Sequence, residues 1–152
     1  MAFEDLKKEV SVIVSKTTLP TKDRLTEICD ALRTSIPYYN WVGFYFANHD
    51  TQTLHLEAYA GEPTEHTVIP FGKGICGQVA VSNENFLVED VAAQDNYIAC
   101  NIHVKSEIVV PLFKEDKNIG QIDIDSNTPN AFTEDDERFL EFVCTQVSTL
   151  LL

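Results

Sequence analysis

The chain predicts an α+β fold, an antiparallel sheet of about six strands with helices from both ends of the sequence packed on one of its faces. Three observations predict it. Apolar residues recur with helical spacing at the two ends of the chain and with alternating spacing in the middle. The strands arrive in pairs joined by short polar turns, which makes hairpins rather than parallel crossovers. At 152 residues the chain suits one domain spanning residues 1–152, and a chain of that length buries roughly 70% of its unfolded surface.

Two amphipathic helices open the sequence. Residues 3–16 set Leu6, Val10 and Val12 to Val14 on one stripe, and residues 21–36 repeat the spacing with Leu25, Ile28, Cys29, Leu32 and Ile36. Pro20 marks the start of the second helix and Pro37 its end. The period then changes. Residues 41–46 (WVGFYF), a polar turn at 48–51 and residues 54–59 (LHLEAY) read as a β-hairpin. A short strand at 67–70 leads into a Gly-rich turn and a helix of about two turns over 75–82. Residues 86–88 form another short strand, and a polar loop at 94–96 carries the chain to Cys100. Residues 107–113 and 118–125 are apolar strands joined by the turn Lys114-Glu115-Asp116-Lys117. Thr133-Glu134-Asp135-Asp136 has the form of a capping box and starts a last helix bearing Phe139, Leu140, Val143, Cys144, Val147 and Leu150.

Composition narrows the function. A formal charge of −13 opposes nucleic acid and acidic membrane surfaces, since both are bound through clusters of Lys and Arg. No apolar run approaches the roughly 20 residues of a membrane span. The first residues lack the pattern of a secretion signal, so a cytoplasmic location with reduced thiols is expected. The four cysteines, at spacings of 47, 24 and 44, form no CxxC pair, which argues against a ribbon-type zinc site and a thioredoxin-like motif.

Gly72-x-Gly74-x-x-Gly77 matches a dinucleotide fingerprint, but hairpin strands around it exclude the parallel crossover that the fingerprint needs. It reads instead as a tight turn feeding a helix, with Cys76 in the first turn, where the helix dipole would favour a thiolate. Cys29 and Cys144 lie on helix stripes and read as small core hydrophobes. Cys100 follows a polar loop at the sheet edge, where reactive residues concentrate. Cys76, Cys100, His66 and His103 would make a zinc set only if distant segments converged, and no metal is expected. Asp123 and Asp125 share one face of a strand, opposite Ile122 and Ile124. They form either a solvated edge or, with Glu107 from the neighbouring strand, the acidic lining of a pocket. Trp41 and Tyr45 are core aromatics or the walls of that pocket.

Ordered motifs carry a family resemblance: Asn40 to Tyr45, Ile69 to Gly77, Ile98-Ala99-Cys100, Ser106 to Leu112, Ile119-Gly120, Asp123-Ile124-Asp125-Ser126 and Phe132-Thr133. From about Trp41 to the C-terminus the chain resembles the free methionine-(R)-sulfoxide reductases, enzymes built on a single GAF domain. The resemblance implies that Cys100 attacks the sulfoxide sulfur. Glu107, Asp123 and Asp125 would hold the sulfoxide oxygen and the amino group and supply a proton, Trp41 would pack on the methyl group, and Tyr45 would complete the wall. No cofactor is implied; free methionine sulfoxide is the substrate, thioredoxin the reductant and a homodimer the assembly. Many members carry a resolving cysteine where this chain has His66. Cys76 resolves, or an external thiol does, or turnover is lost and the domain only binds a small ligand or dimerises. The expectation taken is a Cys76 to Cys100 disulfide, with thiol, sulfenic acid and disulfide as successive states.

Overall fold

Helices form wherever the apolar residues fall on one side. In the computed structural model, which describes residues 3–93 and 103–150, α1 (Phe3–Val14) buries Leu6, Val10 and Ile13 at helical spacing. Val12 falls between those positions and points to solvent. Helix α2 (Thr21–Ser35) starts after Pro20, whose carbonyl accepts the Arg24 N–H at 3.0 Å. It ends where Ile36 turns to extended backbone ahead of Pro37. Helix α4 (Glu134–Ser148) buries Phe139, Leu140, Val143, Cys144 and Val147. The expected capping box closes its first turn, with Asp136 Oδ2 taking the Thr133 N–H at 2.9 Å. The other oxygen of Asp136 accepts the hydroxyls of Tyr38 and Tyr39, each at 2.8 Å, which fastens α4 to the entry of the sheet.

The strands are β1 (Trp41–Asn48), β2 (Thr53–Ala60), β3 (Val68–Pro70), β4 (Phe86–Val88), β5 (Ser106–Lys114) and β6 (Lys117–Ser126). They form one sheet in the order β3-β2-β1-β6-β5-β4. Every neighbouring pair is antiparallel, as the hairpin pattern requires. Strand β1 pairs with β6 across most of the chain's length, and this long-range pair is the sheet's centre. Between β5 and β6 the turn residues Glu115 and Asp116 both have positive φ, 52° and 65°, the geometry of a tight primed hairpin turn.

The two faces of the sheet carry different loads. Helices α2 and α4 lie on one face and α1 packs across both of them. That side holds the larger core, with Val42, Phe44, Ile108, Val110, Ile122 and Ile124 pointing into it. Helix α3 (Gly74–Ser82) covers the other face over β5, β6, β2 and β3. Beneath it lies a smaller cluster of Trp41, Tyr45, Leu54, Ile69, Ile75, Cys76, Val79 and Val109. Among the described residues no helix is long and apolar enough to cross a membrane.

Candidate active site

Alternation on β6 sends Ile122 and Ile124 into the larger core, so Asp123 and Asp125 point to the α3 side. That side is covered. Asp123 and Asp125 are 1% exposed and Glu107 is 4% exposed, which overturns the solvated-edge alternative and puts the acids in the interior. Pairing aligns them. Asp125 lies between Trp41 on β1 and Glu107 on β5, while Asp123 lies between Gly43 and Val109.

Helix α3 brings a thiol onto this acidic surface. The Cys76 thiol donates to Asp123 Oδ2 at 3.2 Å and lies 3.9 Å from Glu107 Oε2. Burial, and then the charges of Asp123 and Glu107, push that thiol well above the ordinary range. The sequence expectation of a dipole-favoured thiolate is therefore wrong in sign. Burial also raises the Asp123 carboxyl, against hydrogen bonds with Glu107 and Cys76 that pull it down. Glu107 and Asp123 thus flank the same thiol, and burial favours the protonated form of Asp123.

The aromatic residues are seated by glycines. The Trp41 ring lies over Gly43, where a Cβ would meet it at 2.3 Å, and beside Gly61, where a Cβ would come within 2.8 Å. Its N–H donates to the Glu62 carbonyl at 3.0 Å, and its ring stacks on Tyr59 with centroids 5.8 Å apart. Tyr45 is fully buried and its hydroxyl donates to the His66 carbonyl at 2.8 Å. The Gly-rich turn behaves as read. Gly72 and Gly74 have φ of +86° and +61°, and a Cβ on Gly77 would strike the Pro70 carbonyl at 2.6 Å. The turn follows an antiparallel strand, so it is no dinucleotide crossover.

Comparison with known proteins gives this arrangement a family. The family model of the GAF domain matches residues 18–151. The chain belongs to the GAF domain family. This GAF domain is 35% identical over 142 residues to Protein YtsP of Bacillus subtilis, covering 90% of this chain and 86% of that protein. It is 38% identical over 112 residues to the free methionine-R-sulfoxide reductase of Escherichia coli, covering 74% of this chain and 66% of that protein. The X-ray structure of the free methionine-R-sulfoxide reductase from Neisseria meningitidis in complex with its substrate superposes with a TM-score of 0.90 at 31% identity, covering 97% of this chain and 86% of that one.

The GAF domain distributes the expected site residues over two cavities. One, of about 10 Å³, is lined by Tyr45, His66, Cys76, Glu107 and Asp123. The other, of about 100 Å³, is lined by Trp41, Asp125, Arg33, Glu62 and His103. His66 and His103 thus line different cavities. Cys100 lies outside the described residues. The described backbone to either side is tied together, Val91 N–H donating to the Lys105 carbonyl at 2.9 Å. Cys29 and Cys144 are buried in the larger core, as their helix stripes predict. Sequence reasoning missed Tyr59, Gly61 and Arg33. Tyr59 was findable from register, since it pairs with Gly43 opposite the Trp41 ring, whereas Arg33 reaches its cavity from α2 and left no local signal.

Proposed function

We propose that this GAF domain reduces free methionine-(R)-sulfoxide to methionine with Cys100 as nucleophile. The observation that carries the reading is the buried acid pair Glu107 and Asp123, set beside the Cys76 thiol on the sheet face that also bears Trp41, Tyr45 and Asp125. Sulfoxide oxygen leaves poorly unless protonated, and an acid kept protonated by burial delivers that proton. The similarity to named free methionine-R-sulfoxide reductases, one of them with its substrate bound, supports the same activity.

In the first step Cys100 attacks the sulfoxide sulfur while a proton reaches its oxygen; that hydroxyl then passes to the Cys100 sulfur as the new sulfur–sulfur bond breaks, which leaves Cys100 sulfenic acid and free methionine. In the second, the Cys76 sulfur displaces that oxygen as water and forms a disulfide. Thioredoxin dithiol then restores both thiols and leaves as its own disulfide. In the larger of the two cavities Trp41 packs on the methyl group and Asp125 takes the ammonium, with Arg33 as a cation for the carboxylate besides Lys105 and the backbone N–H groups of residues 98–100. The same resemblance carries a homodimer, which sedimentation velocity tests.

Assay of free methionine-(R)-sulfoxide against the same sulfoxide within a peptide decides the reading. Turnover of the free amino acid with thioredoxin or dithiothreitol, lost in Cys100→Ser, is expected. No turnover with any thiol reductant leaves a GAF domain that binds a ligand or dimerises. If Cys76→Ala loses only thioredoxin-dependent turnover, Cys76 resolves; full activity with both reductants assigns resolution to an external thiol.

A further inference from the structure

The sequence alone gave no reason to expect a metal, but the set that α3, β5 and β6 assemble differs from the one considered there. We propose that the small cavity binds one thiophilic divalent cation, zinc, through Cys76 Sγ and one oxygen each from Glu107 and Asp123, and that zinc there is a brake on substrate reduction. The binding rests on geometry alone; the brake rests on the reductase reading.

The three donor atoms lie within 4.8 Å of one another, and all three residues are buried. Cys76 Sγ is 3.2 Å from Asp123 Oδ2 and 3.9 Å from Glu107 Oε2. A tetrahedral zinc with bonds of about 2.3 Å to sulfur and about 2.1 Å to oxygen sets donor-to-donor edges of about 3.4–3.6 Å. The two sulfur-to-oxygen edges already lie within a few tenths of an ångström of those a bound zinc sets. Room and charge agree. The cavity's 10 Å³ suits one water-sized occupant, too little for a hydrated magnesium ion that keeps its waters.

A second observation points to a missing partner there. Asp123 lines the cavity, and its Oδ1 is buried without a hydrogen-bond partner among the described residues. A thiolate with two carboxylates carries negative charge that a dication balances, and the one Lys or Arg lining the cavity, Lys73, is exposed. Thiolate ligation favours zinc or cadmium over calcium and magnesium. His66 lines the same cavity and supplies an imidazole for the fourth position, which water otherwise fills.

The test titrates reduced protein with zinc against a chromophoric chelator, and with cadmium while watching the ultraviolet thiolate-to-cadmium charge-transfer band. One ion per chain, with magnesium not competing, is expected. Cys76→Ser should remove the cadmium band, and Asp123→Asn or Glu107→Gln should weaken zinc by tenfold or more, in variants whose circular dichroism matches the parent. Cys29→Ser, Cys144→Ser and Cys100→Ser should all keep the band. No zinc uptake by the parent, or a band that survives in Cys76→Ser and disappears in Cys100→Ser, overturns the site. Zinc bound through Cys76 without inhibition overturns the brake alone, and zinc bound by a protein that reduces no sulfoxide overturns the reductase reading while the site stands.

Discussion

Cys76 donates its proton to a carboxyl, and that hydrogen bond orders the chemistry. A thiol raised by burial and by Asp123 and Glu107 is a poor nucleophile at neutral pH, which suits a residue that must wait until a sulfenic acid has formed elsewhere. When that happens, Asp123 at 3.2 Å is placed to take the proton. Alkylation by iodoacetamide at neutral pH should therefore be slow at Cys76 and about tenfold faster in Asp123→Asn, where one negative neighbour is gone. Peptide mass spectrometry reads both rates, and equal rates would remove Asp123 from control of the thiol. The residue-level error in reading the sequence has a simple cause. A helix N-terminus is worth about 0.3–1 kcal/mol, whereas full burial moves a group by up to about 3–5 pH units, and nothing local in Gly74-Ile75-Cys76 announces the acids that meet it. Gln121 was equally silent. Fully buried two positions before Asp123, it leaves both amide atoms without partners among the described residues, a cost of roughly 1–3 kcal/mol. Gln121→Met should raise the urea midpoint, by about 1 kcal/mol of stability; a fall would mean that a ligand or water uses the amide.

At the level of elements, β1 does the most to shape the site, because it alternates a ring, a gap and a ring: Trp41, Gly43 and Tyr45. The gap is as necessary as the rings. Gly43→Ala should displace the indole, cost about 1–3 kcal/mol and raise KM for the free amino acid about tenfold with a smaller change in kcat. The shift in emission of this chain's single tryptophan reports the displacement, and an unchanged spectrum with unchanged KM would show that the ring can yield freely. The turn joining β5 to β6 is a separate reserve. Glu115 and Asp116 both occupy left-handed backbone, so replacing them by Asn-Gly should stabilise the fold by about 1–2 kcal/mol and leave turnover untouched. Thermal unfolding checks it. Strand alternation, hairpin turns and the capping acid Asp136 were all legible because each is written within a few residues. Which side of β6 would be covered was not, since α3 is apolar nearly all round and its docking on β5 and β6 is decided by the whole sheet.

Across the whole molecule, pH should act through the buried thiols. Cys29, Cys76 and Cys144 are all raised, burial being the first cause in each. The unfolded chain releases those protons near pH 8.5 while the folded chain keeps them. Above that point the unfolded state binds fewer protons, so stability is full below about pH 8.5 and declines as pH rises toward the folded values. Urea titrations at pH 7 and pH 10 should differ by on the order of 6 kcal/mol, about 2 kcal/mol for each of the three thiols, and the combined Cys29→Ser and Cys144→Ser variant should remove about two thirds of the difference. A slope unchanged by those substitutions would assign it to the tyrosines at Asp136. The motifs exposed the fold and most of the acidic site because they recur at positions that pairing brings together. They did not expose the division of labour between the sheet's faces. Among the described residues, three helices and the larger core stand on one side, and one nine-residue helix packs on the other. Change on the α3 side can draw on a stability reserve that it does not have to supply, so the pocket is free to drift toward new ligands over generations while the opposite face keeps the chain folded.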